Sequence, residues 1–167
     1  MKTKVLALFI IIFCLLSLSS CSQGEPASCR EVLDAVIRGE VGLPAGNIYD
    51  MRAAEGEVEF LSDSLINALY GGGSMPRLRQ DWLDCALFLS LGESPCELAV
   101  FYCASGSAAC DTARLLCTRL DAIRTVKGDL YPQMIERASV TVRGNFVLFF
   151  ISSDPDAANK RALAAIS

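Results

Sequence analysis

Ser139-Val140-Thr141-Val142-Arg143-Gly144-Asn145-Phe146-Val147-Leu148-Phe149-Phe150-Ile151 is the stretch that decides the fold. Two strand-forming runs flank Gly144-Asn145, a dipeptide suited to a tight primed hairpin turn. The second run, Phe146 to Ile151, is apolar at every position. That predicts a central strand covered on both faces.

Upstream, Tyr131 to Arg137 leads into this hairpin, and a long helix precedes it. Ser105-Gly106-Ser107 opens the helix and Lys127-Gly128-Asp129 ends it. Ala109, Ala113, Leu116, Leu120 and Ile123 recur at intervals of four and three, the spacing of one buried face. Arg114, Arg119 and Arg124 fall off that stripe. The Ser-Gly-Ser junction presents free N–H groups that could hold an anion, but serine at such a junction is first of all an N-cap.

Further upstream, Trp82 to Leu91 and Leu98 to Cys103 are strand-like runs joined by Gly92-Glu93-Ser94-Pro95. Turn chemistry between two such runs predicts a second antiparallel hairpin. With the turn near Glu93, Cys85 falls opposite Phe101. Cys85, Phe101 and Cys103 then share a face, because side chains alternate with period two. Downstream, Asp154 is an N-cap with Pro155 at N1, so a last helix runs from Pro155 to about Ile166. Leu163 and Ile166 are its expected apolar contacts.

Two more helices precede the sheet. Ser28-Cys29-Arg30-Glu31 has capping-box spacing. Leu33, Val36, Ile37 and Val41 follow at helical intervals, giving a helix to about Arg38. Leu61-Ser62-Asp63 starts the next helix, with Leu65, Ile66 and Leu69 as its stripe and Gly71 as its stop. Tyr49 to Phe60 has no clear periodicity. Its Glu55, Glu57 and Glu59 read as a solvated acidic loop or edge, since three carboxylates without further ligands hold a hard cation weakly. The expected class is therefore α+β: one domain over residues 28–167, with a single mainly antiparallel sheet of about four strands, two hairpins, packed with helices.

The N-terminal segment has a different character. Lys2 and Lys4 precede an apolar run from Val5 to Leu16, and small polar residues lead to Leu18-Ser19-Ser20-Cys21. A positive start, a short apolar core and a small-residue cleavage site describe an export signal. The run is shorter than the roughly 20 residues that cross a bilayer. Leu18–Cys21 is similar to a lipobox. Residues 1–20 are read as a lipoprotein signal peptide, Cys21 as the lipidation site and residues 21–27 as a tether. The expected location is the cell membrane, lipid-anchored and facing outward, with membrane lipid as the partner of acylated Cys21.

Composition narrows the chemistry. The leader holds two of the 15 basic residues and none of the 19 acidic ones, so the mature chain is more acidic than the whole. Such a chain is ill suited to nucleic acid. Histidine is absent, which removes His-dependent triads, bases and metal ligands. Gly71-Gly72-Gly73-Ser74 lacks the spacing of a phosphate loop and reads as a connector. Gly92-Glu93-Ser94-Pro95-Cys96 lacks the second glycine of a nucleophile elbow. No catalytic, cofactor-binding or metal-ligating residue is predicted, and no cofactor is expected.

The chain resembles an uncharacterised lipoprotein family of Firmicutes-type bacteria, named only as a numbered domain of unknown function. The resemblance lies in Leu43–Gly46, Leu61–Asp63, Leu69–Gly71, Pro95–Phe101, Cys117–Asp121 and Arg143–Asn145 with its apolar run. The triple glycine departs from it. The resemblance implies an envelope location and an anaerobic host, and it brings no catalytic residues.

Two functions remain. The first is a non-enzymatic binding or interaction module whose partner is an envelope protein or a small ligand. The second is a thiol-based redox or metal-capturing protein, suggested by Cys29, Cys85, Cys96, Cys103, Cys110 and Cys117. The chain has no C-x-x-C and no zinc-like spacing. Buried cysteine also serves as a small apolar filler. Cys85, Cys103 and Cys110 are expected to form one buried thiol neighbourhood. Cys110 and Cys117, seven apart on one helix, lie about 10 Å apart and cannot pair.

Overall fold

A computed structural model describes residues 26–71 and 79–167. The predicted signal peptide, Cys21, most of the tether and the glycines after Gly71 lie outside the described residues. In chain order the elements are α1 (Cys29–Gly39), β1 (Gly46–Asp50), α2 (Asp63–Tyr70), β2 (Trp82–Ser90) and β3 (Glu97–Cys103). There follow α3 (Gly106–Lys127), α4 (Pro132–Glu136), β4 (Ser139–Arg143), β5 (Phe146–Ile151) and α5 (Pro155–Ile166).

The fold is α+β, with one fully antiparallel sheet of order β1-β2-β3-β5-β4. Both predicted hairpins are present. Cys85 stands opposite Phe101 in β2–β3, and Arg143 opposite Phe146 in β4–β5. Gly144 takes φ 58° and Asn145 does not go positive, the pattern of a II′ turn.

The sheet has five strands where about four were expected. The addition is β1, which pairs with β2 from Gly46↔Ser90 to Asp50↔Ala86. Ile48 and Tyr49 are its only strong strand formers, so the free edge of β2 decides its conformation rather than local propensity. A Cβ on Gly46 would stand 2.3 Å from the Phe88 ring, so glycine permits the close approach.

β5 is the central apolar strand. Val147, Phe149 and Ile151 join one core with Ile66, Leu116, Leu120 and Ile123 of α2 and α3. Phe146, Leu148 and Phe150 join the other core with Val32, Leu33 and Val36 of α1 and Ala158 and Ala162 of α5. The sheet is thus a middle layer between two helical layers. Burying each such Phe or Leu contributes about 1.5–3 kcal/mol, and both faces of β5 depend on it.

The caps form where local chemistry places them. Ser28 and Glu31 complete a capping box, and Ser105 and Asp154 accept from Ala108 and Ala157 N–H. Two expected contacts differ. Val41 lies beyond the end of α1 and is 87% exposed. On α5 the buried residues are Pro155, Ala158 and Ala162, while Leu163 and Ile166 are only partly buried. Small side chains face inward there because α5 packs closely along α1.

Candidate functional site at the end of the sheet

The thiols separate into two groups. Cys29, Cys85, Cys96 and Cys103 are buried, Cys110 and Cys117 are exposed, and all six are free. Cys85 and Cys103 share one core with Phe101, as their spacing predicts. Cys110 does not join them. The buried face of α3 runs through Ala109, Thr112 and Leu116, and position 110 turns outward between the first two. That corrects the expected three-thiol neighbourhood to a pair. Within that pair Cys103 lies diagonally across β2–β3 from Cys85, a relation of about 7–8 Å that is too long for a disulfide.

Burial pushes the thiols of Cys29 and Cys85 well up, with Asp84 beside them adding to the effect. Cys96 is pushed up to about 12, and Cys103 is raised by burial against the pull of the Thr112 hydroxyl. Thiols held protonated are poor nucleophiles and poor metal ligands. Among the described residues no three His, Cys, Asp or Glu side chains gather in a way that could hold a metal ion.

The acidic loop is held by ion pairing and turn contacts. Glu59 accepts from Arg30 at 2.5 Å, which draws its carboxyl down, and Glu57 accepts the Ala54 N–H. A deeper carboxylate, Asp84, sits at an irregularity in β2 and is 1% exposed. It accepts the Cys29 N–H at 2.8 Å, the Cys85 N–H at 2.9 Å and Arg52 Nη2 at 2.9 Å. Asp84 thereby fixes the first turn of α1 to the sheet.

The most organised charges lie at the opposite end, where β2 turns into β3. Glu97 opens β3 and is 2% exposed. Its Oε1 accepts the Tyr70 hydroxyl at 2.9 Å. Its Oε2 accepts Arg119 Nη2 at 2.9 Å and Nε at 3.2 Å. The three residues tie α2, β3 and α3 together. Burial, and the Glu97 carboxylate beside it, push the Tyr70 hydroxyl well above its ordinary pKa. Of the three arginines expected off the α3 stripe, Arg114 and Arg124 pair with Asp111 and Asp121 on the helix surface. Arg119 instead reaches inward. Its partner lies 22 positions away in sequence, and no local spacing signals the pair.

Beside this pair is a cleft of about 190 Å³ with walls from Leu69, Leu89, Pro95 and Ile123. Arg119 and Lys127 line it from α3, and Ser90 and Ser94 from the turn. The turn is braced internally: the Ser90 hydroxyl donates to Ser94 O at 2.7 Å, and Ser94 Oγ accepts the Cys96 N–H at 3.2 Å. Lys127 Nζ donates to Glu93 O at 2.6 Å. Wider hollows of about 330 and 430 Å³ flank α4, but neither is lined by a buried ion pair. The volume of the cleft is below the ~300–1,000 Å³ of sites for drug-sized molecules, so its fit is to something smaller. Comparison of the chain with protein-family models, with curated proteins and with solved structures found no match.

Proposed function

We propose that the chain is an outward-facing lipoprotein of the cell membrane, anchored through acylated Cys21 and acting as a non-enzymatic binding or interaction module of the envelope. The observation that carries this reading is Leu18-Ser19-Ser20-Cys21 at the end of a short apolar run. Only residues 22–27 separate Cys21 from the Ser28 cap of α1, a reach of roughly 20 Å when extended. The domain would therefore stand close to the bilayer, with Asp84 holding its point of attachment. No described helix is long and apolar enough to cross a membrane; in this reading the anchor is the lipid on Cys21. Buried acyl CH₂ groups contribute about 0.8 kcal/mol each, and more than one chain makes attachment stable. The partner is an envelope protein or a small ligand, and not nucleic acid. The buried carboxylates of Asp84 and Glu97 are engaged in pairs that hold elements together, which suits a rigid binding scaffold.

Labelling of growing cells with a radioactive fatty acid tests this. Wild-type protein is expected to carry label and to sediment with membranes. The Cys21→Ala variant is expected to lack label and to appear as uncleaved precursor or shed protein. Wild-type protein recovered free in the medium, cleaved elsewhere and without lipid, would overturn the reading. The thiol-based alternative draws its support from the shared face of Cys85 and Cys103. About one zinc per purified chain, lost on replacing Cys103, would promote it.

A further inference from the structure

We infer that the cleft at the β2–β3 turn binds a small amphipathic carboxylate, an apolar body about the size of one amino-acid residue carrying a single anionic group; this rests on the reading of the protein as a binding module. Arg119, Ile123 and Lys127 recur at intervals of four along α3 and all line the cleft, so one helix face presents cation, apolar wall and cation in sequence. Glu97 takes Nε and Nη2 of Arg119. Among the described residues Nη1 has no acceptor, and the Arg119 side chain is 24% exposed. The ion pair thus fixes the guanidinium in the cleft wall while Nη1 stays unbonded. Holding it rigid lowers the ordering cost of binding.

The charges select the ligand. Glu97 cancels Arg119, and both Glu97 oxygens already accept hydrogen bonds. Among the described residues Lys127 donates to the Glu93 carbonyl and makes no ion pair, so its charge is left at the mouth. That favours an anion over a cation. Leu69, Leu89, Pro95 and Ile123 favour an apolar body over a bare inorganic ion. At the rim the Ser94 hydroxyl keeps its proton, whereas Ser90 spends its own on Ser94 O. The cleft also lies at the opposite end of the sheet from the first turn of α1.

The test is equilibrium dialysis of the full-length lipoprotein in detergent, with labelled N-acetyl-leucinate as probe and detergent alone as the blank. One site per chain is expected, with a dissociation constant of about 2 mM or tighter for a ligand of this size. The neutral N-acetyl-leucinamide is expected to bind at least ~10-fold more weakly, the loss of a charge-assisted hydrogen bond. Lys127→Glu is expected to weaken binding by about tenfold with an unchanged circular dichroism spectrum, since Lys127 is only partly buried and its one hydrogen bond among the described residues goes to a backbone carbonyl. Arg119→Lys keeps the charge beside Glu97 and should also weaken binding, because it removes the guanidinium fork. Binding of leucine or of Gly-Gly-Leu supports the assignment and tells a free amino acid from a peptide end. Equal affinity for acid and amide, displacement by equimolar inorganic phosphate, wild-type affinity in both variants, or no saturable site would each overturn it. A failure here with Cys21 still acylated in cells removes the cleft assignment alone. An unlabelled Cys21 with saturable binding removes the anchor alone.

Discussion

Glu97 and Arg119 are energetically useful to the fold only as a pair, and a double-mutant cycle of Glu97→Met and Arg119→Met measures this. The two side chains are 3% and 24% exposed and meet at 2.9 Å. Removing Arg119 leaves a buried carboxylate with Tyr70 as its one remaining partner, a loss of about 3–5 kcal/mol. Removing Glu97 is milder at the arginine, which can turn to water, but it strands the Tyr70 hydroxyl in the core. Together these cost about 2–4 kcal/mol. The double variant replaces a buried ion pair with two apolar side chains and should cost less than the sum of the singles. The expected coupling is about 2–3 kcal/mol. Tyr70→Phe should cost ~1 kcal/mol alone and nothing further once Glu97 is methionine. Urea unfolding followed by far-ultraviolet circular dichroism reads each value. With a slope of about 1–3 kcal/mol per molar urea, a 3 kcal/mol loss moves the midpoint by at least ~1 M. Losses that add to within about 0.5 kcal/mol would show that the pair does not form in solution, and the rigid cation of the cleft would go with it.

Alkylation of the native protein at pH 8 should modify Cys110 and Cys117 and spare Cys29, Cys85, Cys96 and Cys103, which burial holds protonated; fast labelling of Cys85 or Cys103 in peptide mapping would contradict the packing. Glu40 is buried against Arg161, and burial raises its carboxyl despite that partner. The native state then binds this proton more tightly than the unfolded chain, so the Glu40 contribution makes stability fall as pH rises from about 4.3 through the raised native value. Glu40→Gln should flatten that limb of the stability–pH curve, and superimposable curves would refute the assignment. Asp84→Asn puts an amide where two backbone N–H groups and Arg52 need an acceptor; it should cost about 2–3 kcal/mol and speed amide exchange in the first turn of α1. Unchanged exchange there would show that Asp84 does not hold the helix.

Much of the fold was legible because its signals are local. A capping box spans Ser28 to Glu31, the Pro after Asp154 starts a helix, and Gly144-Asn145 closes a hairpin. Each involves residues within four positions of one another, where sterics and side-chain reach leave few options. The turn at Gly92–Pro95 even set the β2–β3 register, since alternation carries a turn position along both strands. The six apolar residues of β5 announced a strand with two covered faces. The sequence by itself therefore determined the class, the hairpins and the helix starts at Ser28, Ser62, Ser105 and Asp154, while the short α4 at Pro132–Glu136 was not signalled. Only the tertiary structure decided that β1 exists, that β5 lies against β3, that Cys110 turns outward, and that Arg119 finds Glu97. Those outcomes depend on which distant surface each segment meets once the layers close. A strand of weak propensity becomes ordered on an open edge, and an arginine beside a helix stripe turns inward when a buried carboxylate at the end of a strand lies within its reach.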